Sequence, residues 1–149
     1  MKKIMIVLSC IVVLSAGLMT SLAREKVIDS NQLPQKAQTF LKQYFPKSNV
    51  VLVKQDRELI SPDYDVTFSD GTTIEFDADG QWTDIESLNE VPGSLIPAQI
   101  KTFLNQNNYL QGGVKIKKIG RDSRGYDVEL TNGLEFEFDT QFKLVDMDN

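Results

Sequence analysis

The amino-acid sequence predicts an α+β protein built as a tandem repeat, in which each unit is one helix followed by a four-stranded antiparallel meander. Residues 33–41 recur in nearly the same order as residues 96–104, an offset of 63 positions. Residues 64–66 recur as residues 126–128, an offset of 62. Within each copy the spacing of apolar residues changes from three or four to two, as expected where a helix gives way to strands.

The first 23 residues have the layout of a secretory signal peptide. Lys2 and Lys3 precede an apolar run, and the small residues Ser21 and Ala23 end it. Cleavage after Ala23 would leave a mature chain of 126 residues in the periplasm or outside the cell, with no membrane contact of its own. Cys10, the only cysteine, would leave with the signal, so no disulfide or thiolate metal ligand is expected.

The mature chain, residues 24–149, is expected to be a single domain of two repeats, about 32–86 and 95–147. Residues 24–31 are polar and are predicted to be a short leader into the first helix. Pro34 and Pro97 mark the two helix starts, where a missing N–H is tolerated. Apolar residues at helical spacing then form one stripe on each helix: Ala37, Phe40, Leu41, Tyr44 and Phe45 in the first, Ile100, Phe103 and Leu104 in the second.

Strict alternation of apolar and polar residues predicts the strands that follow each helix. Asp70-Gly71, Asp79-Gly80 and Asn132-Gly133 supply turn residues between them. Alternation of this kind indicates a sheet with one packed face and one solvated face. Tyr64 and Tyr126 are in phase with the apolar set, which assigns them to the core. We therefore expect one eight-stranded sheet with both helices on one face.

These motifs resemble those of the PepSY-like family of secreted bacterial proteins, whose known structures resemble beta-lactamase inhibitor protein. The resemblance extends over both units of the mature chain. It implies the same fold and a possible protein-binding sheet face, whereas members of the family largely lack an assigned function. The segments that carry it are Leu33-Pro34, Ile96-Pro97, Tyr44-Phe45-Pro46, Tyr64-Asp65-Val66, Asp70-Gly71 and the run from Phe76 to Trp82.

The composition excludes several function classes. The chain has no histidine, which removes Ser-His-Asp catalysis and histidine metal sites. Loss of Lys2 and Lys3 changes the net charge from −5 to −7, a sign that argues against a nucleic-acid partner. A calcium loop counted from Asp77 fails, because Trp82 and Leu88 stand where a glycine and an acid are needed. We expect no metal and no cofactor.

The polar sheet face is the candidate binding surface. We predict a secreted, non-enzymatic protein that binds or inhibits another protein of unknown identity through this face. Two alternatives remain: a structural or assembly module of the cell envelope, and a carboxylate-based enzyme in which neighbouring acids raise one pKa. The outward acidic residues that define the candidate surface are Asp65, Glu75, Asp127, Glu129, Glu135 and Glu137.

Overall fold

The computed structural model describes residues 25–57 and 61–149, and the predicted signal peptide lies outside these ranges. In this part of the chain, two α-helices accompany one antiparallel sheet of nine strands, so the fold is α+β. Short 3-10 turns precede each helix, at Ser30–Gln32 and Gly93–Leu95. In chain order the elements are β1 (Glu25–Val27), α1 (Gln35–Tyr44), β2 (Val50–Asp56), β3 (Asp63–Phe68), β4 (Thr73–Phe76), β5 (Trp82–Glu86), α2 (Ala98–Gln106), β6 (Ile116–Asp122), β7 (Gly125–Leu130), β8 (Glu135–Asp139) and β9 (Leu144–Asp148).

The predicted count of eight strands is wrong, because β1 forms within the segment expected to be a polar leader. β1 pairs antiparallel with β2, placing Glu25 opposite Asp56 and Val27 opposite Lys54. All three residues of β1 are exposed. Pairing at a sheet edge satisfies backbone groups without burying a side chain, so no apolar alternation marked this strand in the sequence.

The strands follow one another in space in the same order as in the chain, from β1 to β9. Residues that lie directly opposite each other on adjacent strands point to the same side of the sheet. One such row is apolar and buried across the centre of the sheet, running through Ile74, Ile85, Ile119, Val128 and Phe136. This row marks the packed face.

Both helices lie against the packed face. The ring of Phe40 on α1 meets Phe76 of β4 nearly edge-on, with centroids 5.6 Å apart. The ring of Phe103 on α2 meets Phe138 of β8 in the same way at 5.4 Å. Phe76 and Phe138 lie two positions along their strands from the buried row, which puts both contacts on one side of the sheet.

The aromatic residues of the strands belong mainly to this core. Tyr64 is buried, as predicted, and Tyr126 is half-buried with its ring stacked on Phe142 at 5.3 Å. Trp82 is buried beneath the guanidinium of Arg121, which lies 4.0 Å from the ring centroid. Arg121 Nε also donates a hydrogen bond to the carbonyl oxygen of Trp82. These contacts leave the opposite side of the sheet to polar side chains.

Candidate functional site

The face of the sheet opposite the helices, here called the open face, carries a line of carboxylates that crosses seven strands. The strand register places successive members directly opposite one another from β3 to β9, with Gly120 of β6 in the centre. The side chains alternate with the buried row along each strand, which directs them away from the core. This acidic row consists of Asp65, Glu75, Asp84, Asp127, Glu137 and Asp146.

A second row lies two residues along each strand on the same face. It contains Glu86, Lys118, Glu129, Glu135 and Asp148 in adjacent register positions. Lys117, next to this row, contacts Glu129 through Nζ and Oε1 at 2.6 Å. Part of the negative charge here is therefore compensated within the chain.

The structure thus divides the six residues predicted from the sequence between two rows. It brings Asp65, Glu75, Asp127 and Glu137 together in the acidic row, whereas Glu129 and Glu135 lie in the second row. All six lie on the open face, because none of them shares a register row with a buried apolar residue.

Sequence reasoning did not include Asp84 in the candidate surface. The pairing of β5 with β4 shifts by one residue next to Asp84. Glu75 lies opposite Asp84, but the next residue, Phe76, lies opposite Trp82, so β5 does not keep a strict two-residue alternation. A bulge of this kind hides the phase of a short strand. The available signal was the apolar residue Ile85. Adjacent residues of a strand point to opposite faces, so an inward Ile85 places Asp84 on the polar face.

Gly120 forms a notch at the centre of the acidic row. A Cβ atom at this position would lie 3.2 Å from Asp84 Oδ1 and 3.8 Å from Asp127 Oδ2. The carboxylates of the two adjacent strands therefore lie next to the backbone of Gly120, which has no side chain to separate them. Lys118 reaches the same place, with its Nζ 3.4 Å from Asp84 Oδ1.

Glu75 is the most perturbed carboxyl group in the acidic row. Although the Glu75 side chain is exposed at the surface, desolvation by the surrounding atoms of the sheet, followed by the neighbouring charges of Asp84 and Asp65, raises the pKa of Glu75 to about 7. The opposing influence of Lys118 is smaller. This carboxyl group is therefore partly protonated at neutral pH, although a glutamate in water ionises near pH 4.

The pKa values of four other members of the row, Asp65, Asp84, Asp127 and Glu137, shift in the same direction, with burial as the first cause in each. Burial raises the pKa of Asp84 although Lys118 opposes it, and burial raises the pKa of Asp127, with Asp122 adding to the effect. Burial also raises the pKa of Asp65, with Glu25 adding to it. The row consequently favours a neutral or cation-bound state over the fully ionised one.

The acidic row has no metal cage among the described residues, and the two depressions described below lie beside α1. Residues 25–57 and 61–149 contain no group of three or more Asp, Glu, His or Cys side chains suited to holding a metal ion. Asp77 Oδ1 accepts hydrogen bonds from the backbone N–H groups of Asp79 and Gln81, so the supposed calcium loop is a turn. Two shallow depressions flank α1, one along Gln35 to Tyr44 and one near Phe45 and Phe68, and no carboxylate lines either of them.

A helix-backed sheet with a broad acidic face is typical of a binding domain more than of an enzyme with a buried site. The family model for "Putative beta-lactamase-inhibitor-like, PepSY-like" proteins matches residues 18–60 and 62–146. The chain belongs to this PepSY-like family.

Three solved structures from Bacteroides species resemble the chain over nearly their whole length. A protein from Bacteroides vulgatus ATCC 8482, described as a putative periplasmic protein of the DUF2874 family, has 39% sequence identity and a TM-score of 0.78, with 87% of this chain and 100% of that chain covered. A "putative calcium-regulated periplasmic protein" from Bacteroides thetaiotaomicron has 38% identity and a TM-score of 0.77, with 84% and 97% covered. A second putative periplasmic protein from Bacteroides vulgatus, of unknown function, has 32% identity and a TM-score of 0.77, with 84% and 99% covered.

These relatives confirm the predicted periplasmic or secreted localisation. Among the described residues, no helix has the length and apolar character needed to cross a membrane. A comparison with functionally curated proteins gives no significant match.

Proposed function

We propose that the protein is a non-enzymatic periplasmic binding protein that binds, or inhibits, another protein through the open face. The observation that carries this proposal is the acidic row, which places Glu75 directly opposite both Asp65 and Asp84, and Glu137 directly opposite Asp127 and Asp146. Like charges opposite each other destabilise a sheet. A face that retains them at the expense of stability is better explained by what it contacts than by folding.

The charge of the open face favours a partner with a basic surface. Potentials of opposite sign steer encounter and disfavour partners of the same sign. The family's beta-lactamase-inhibitor-like description supports a protein as the partner. The expected complex has lysine or arginine side chains of the partner above the acidic row, near the notch at Gly120.

The two alternative classes fit the geometry less well. An enzyme working with paired acids needs them in a cleft that excludes water, whereas Glu75 lies on a broad exposed face. A structural or assembly module would have no ligand of its own. Its sheet would then carry the destabilising like-charged pairs of the acidic row without any gain from binding.

A capture experiment with a neutralised variant tests the proposal. The bait is the mature protein, residues 24–149, and the matched control carries Asp65→Asn, Asp127→Asn and Glu137→Gln. We expect a basic periplasmic protein to be retained by the natural sequence at low salt, released by added salt, and lost from the variant. Equal retention by both baits would contradict the proposal and favour the assembly module.

A second candidate function is a response to Ca²⁺, which the description of the Bacteroides thetaiotaomicron relative names for that protein. The observation that favours it is that carboxylate oxygens of Asp84 and Asp127 lie on either side of Gly120, because Ca²⁺ prefers oxygen ligands. Calorimetric titration with calcium chloride separates the two candidates. Binding by the natural sequence but not by a variant with both residues changed to Asn would support the calcium function.

We further propose that the described elements reflect a duplication, with α1 and β2–β5 as one copy and α2 and β6–β9 as the other. The similar edge-on contacts of Phe40 with Phe76 and of Phe103 with Phe138 support this proposal. The duplication adds strands to one sheet and thereby widens the open face.

A further inference from the structure

Glu75 occupies the most crowded position of the acidic row. Asp65 on β3 and Asp84 on β5 lie directly opposite it on either side, and Asp63 lies farther along β3. Neighbouring strands are about 4.8 Å apart, so the backbones that carry these three carboxyl groups follow one another at about that spacing. Both described helices, α1 and α2, pack on the other face, and the charged residues that influence Glu75 all lie on strands.

Two lysines near this position form ion pairs with other carboxylates. Lys118 on β6 lies two strands from Glu75, and its Nζ makes its ion pair with Asp84 at 3.4 Å. Lys54 lies opposite Asp65 and pairs through Nζ with Glu25 at 2.8 Å. Among the described residues, therefore, the position at Glu75 combines two acidic neighbours with no cation of its own in ion-pair contact.

We propose that a cationic partner binding to the open face displaces a proton from Glu75, so that affinity for the partner rises with pH across the neutral range. This inference rests on the proposed binding function and adds a regulation to it. A lysine or arginine of the partner supplies the positive charge that the crowded position lacks. The ionised form of Glu75 is then favoured in the complex and disfavoured in the free protein.

The size of the effect follows from the proton balance. Burial and the charges of Asp84 and Asp65 raise the pKa of Glu75 in the free protein to about 7. If binding lowers the pKa by about two units, affinity rises by about tenfold between pH 6 and pH 8 through this one group. The chain has no histidine. Within that pH range, therefore, the remaining titrating groups are carboxyls with raised pKa and the α-amino group.

The test uses acetylated octalysine amide as a defined cationic probe of the mature protein. Calorimetric titrations at pH 6, 7 and 8, at one low ionic strength and in buffers of different ionisation enthalpy, give the dissociation constant and the number of protons released. We expect about a tenfold lower dissociation constant at pH 8 than at pH 6 and release of about half a proton at pH 7.

Two variants test whether the proton released on binding comes from Glu75. Glu75→Gln should reduce the pH dependence to about threefold or less and abolish most of the proton release. Glu90→Gln removes one charge from the segment between β5 and α2, outside the candidate surface, and it should retain both properties.

The outcomes separate the two proposals. Salt-sensitive binding that does not change with pH and releases no proton would overturn this inference and leave the binding function intact. Proton release that persists in Glu75→Gln would also overturn it. Failure of octalysine to bind at any pH would overturn the electrostatic binding function and this inference with it.

Discussion

Glu75 on β4 lies directly opposite Asp84 on β5, on the side of the sheet that carries no helix. Two like charges at directly opposed cross-strand positions destabilise the sheet when both are ionised. The pair therefore links the stability of the protein to pH, independently of any partner.

The first prediction concerns this linkage. The folded-state pKa of Glu75 is raised to about 7 from an ordinary value of 4.5. A raised carboxyl pKa adds stability below the unfolded-state value and loses it as pH rises through the folded-state value. Glu75→Gln should therefore leave stability unchanged near pH 4.5 and increase it by about 1 kcal/mol at pH 8, less than the full shift implies because water screens the exposed carboxylate.

Urea unfolding at the two pH values measures this difference. Glu135→Gln is the matched control for the loss of one charge on the same face. It should give less than half of the gain, because its neighbour Glu129 is already paired with Lys117. A Glu75→Gln protein that is less stable than the natural one at pH 8 would contradict the prediction that ionised Glu75 destabilises the folded state.

The sequence alone predicts the helices and most of the sheet, because those elements bury an apolar set with a regular period. Val128 of β7 and Phe136 of β8 are examples, since both alternate with outward acids and both are buried. β1 has no such signal, because an edge strand of three exposed residues depends on backbone pairing. Asp84 was missed because a register shift interrupts the alternation that identifies an outward residue.

The candidate site was harder to predict than the fold for a related reason. The sequence identifies which residues point outward from a strand, but the register of neighbouring strands decides which of them become neighbours. Glu137 and Asp127 lie opposite each other, whereas Glu135 lies opposite Glu129. The division into two rows therefore follows from pairing, which no local pattern encodes.

The second prediction compares the two helix anchors. Phe40 and Phe103 are both partly buried against the packed face, and each meets a strand phenylalanine edge-on. Phe40→Ala and Phe103→Ala should each reduce the free energy of unfolding by about 2–4 kcal/mol, and the two losses should agree within about 1 kcal/mol.

Chemical denaturation of both variants tests this equivalence. Thr102→Ala, at an exposed position on α2 beside Phe103, is the control and should change stability by no more than about 0.5 kcal/mol. A loss confined to one of the two phenylalanine variants would show that the helices are not anchored equivalently, which would count against the proposed duplication.

The third prediction concerns processing of the precursor. The sequence places the cleavage site after Ala23, which would make Arg24 the first residue of the periplasmic protein, one residue before β1. Mass spectrometry of the natural protein should find an N-terminus at Arg24 and a mature chain of 126 residues. Retention of Met1, or a lipid attached to Cys10, would refute the predicted site.

The fourth prediction contrasts Gly125, the first residue of β7, with Gly133, a glycine in the turn after β7. Gly125 has a φ of +150°, and a Cβ atom there would collide with the carbonyl oxygen of Phe138 and lie 2.8 Å from the Cα of Asp139. These are backbone atoms of the paired strand, so the end of β8 would have to move away from Gly125. Gly125→Ala should reduce the free energy of unfolding by about 3 kcal/mol or more.

Gly133, in the turn that joins β7 to β8, is the matched control. Its φ is +91°, but a Cβ atom there would have no neighbour within 4 Å. Gly133→Ala should therefore show only the penalty for a left-handed backbone, about 1–2 kcal/mol. Urea unfolding of the two variants measures the difference. If Gly125→Ala is insoluble while Gly133→Ala folds, Gly125→Ala is likewise the more destabilising change. Equal losses would mean that backbone conformation alone, and not the close approach of β8, requires glycine at the start of β7.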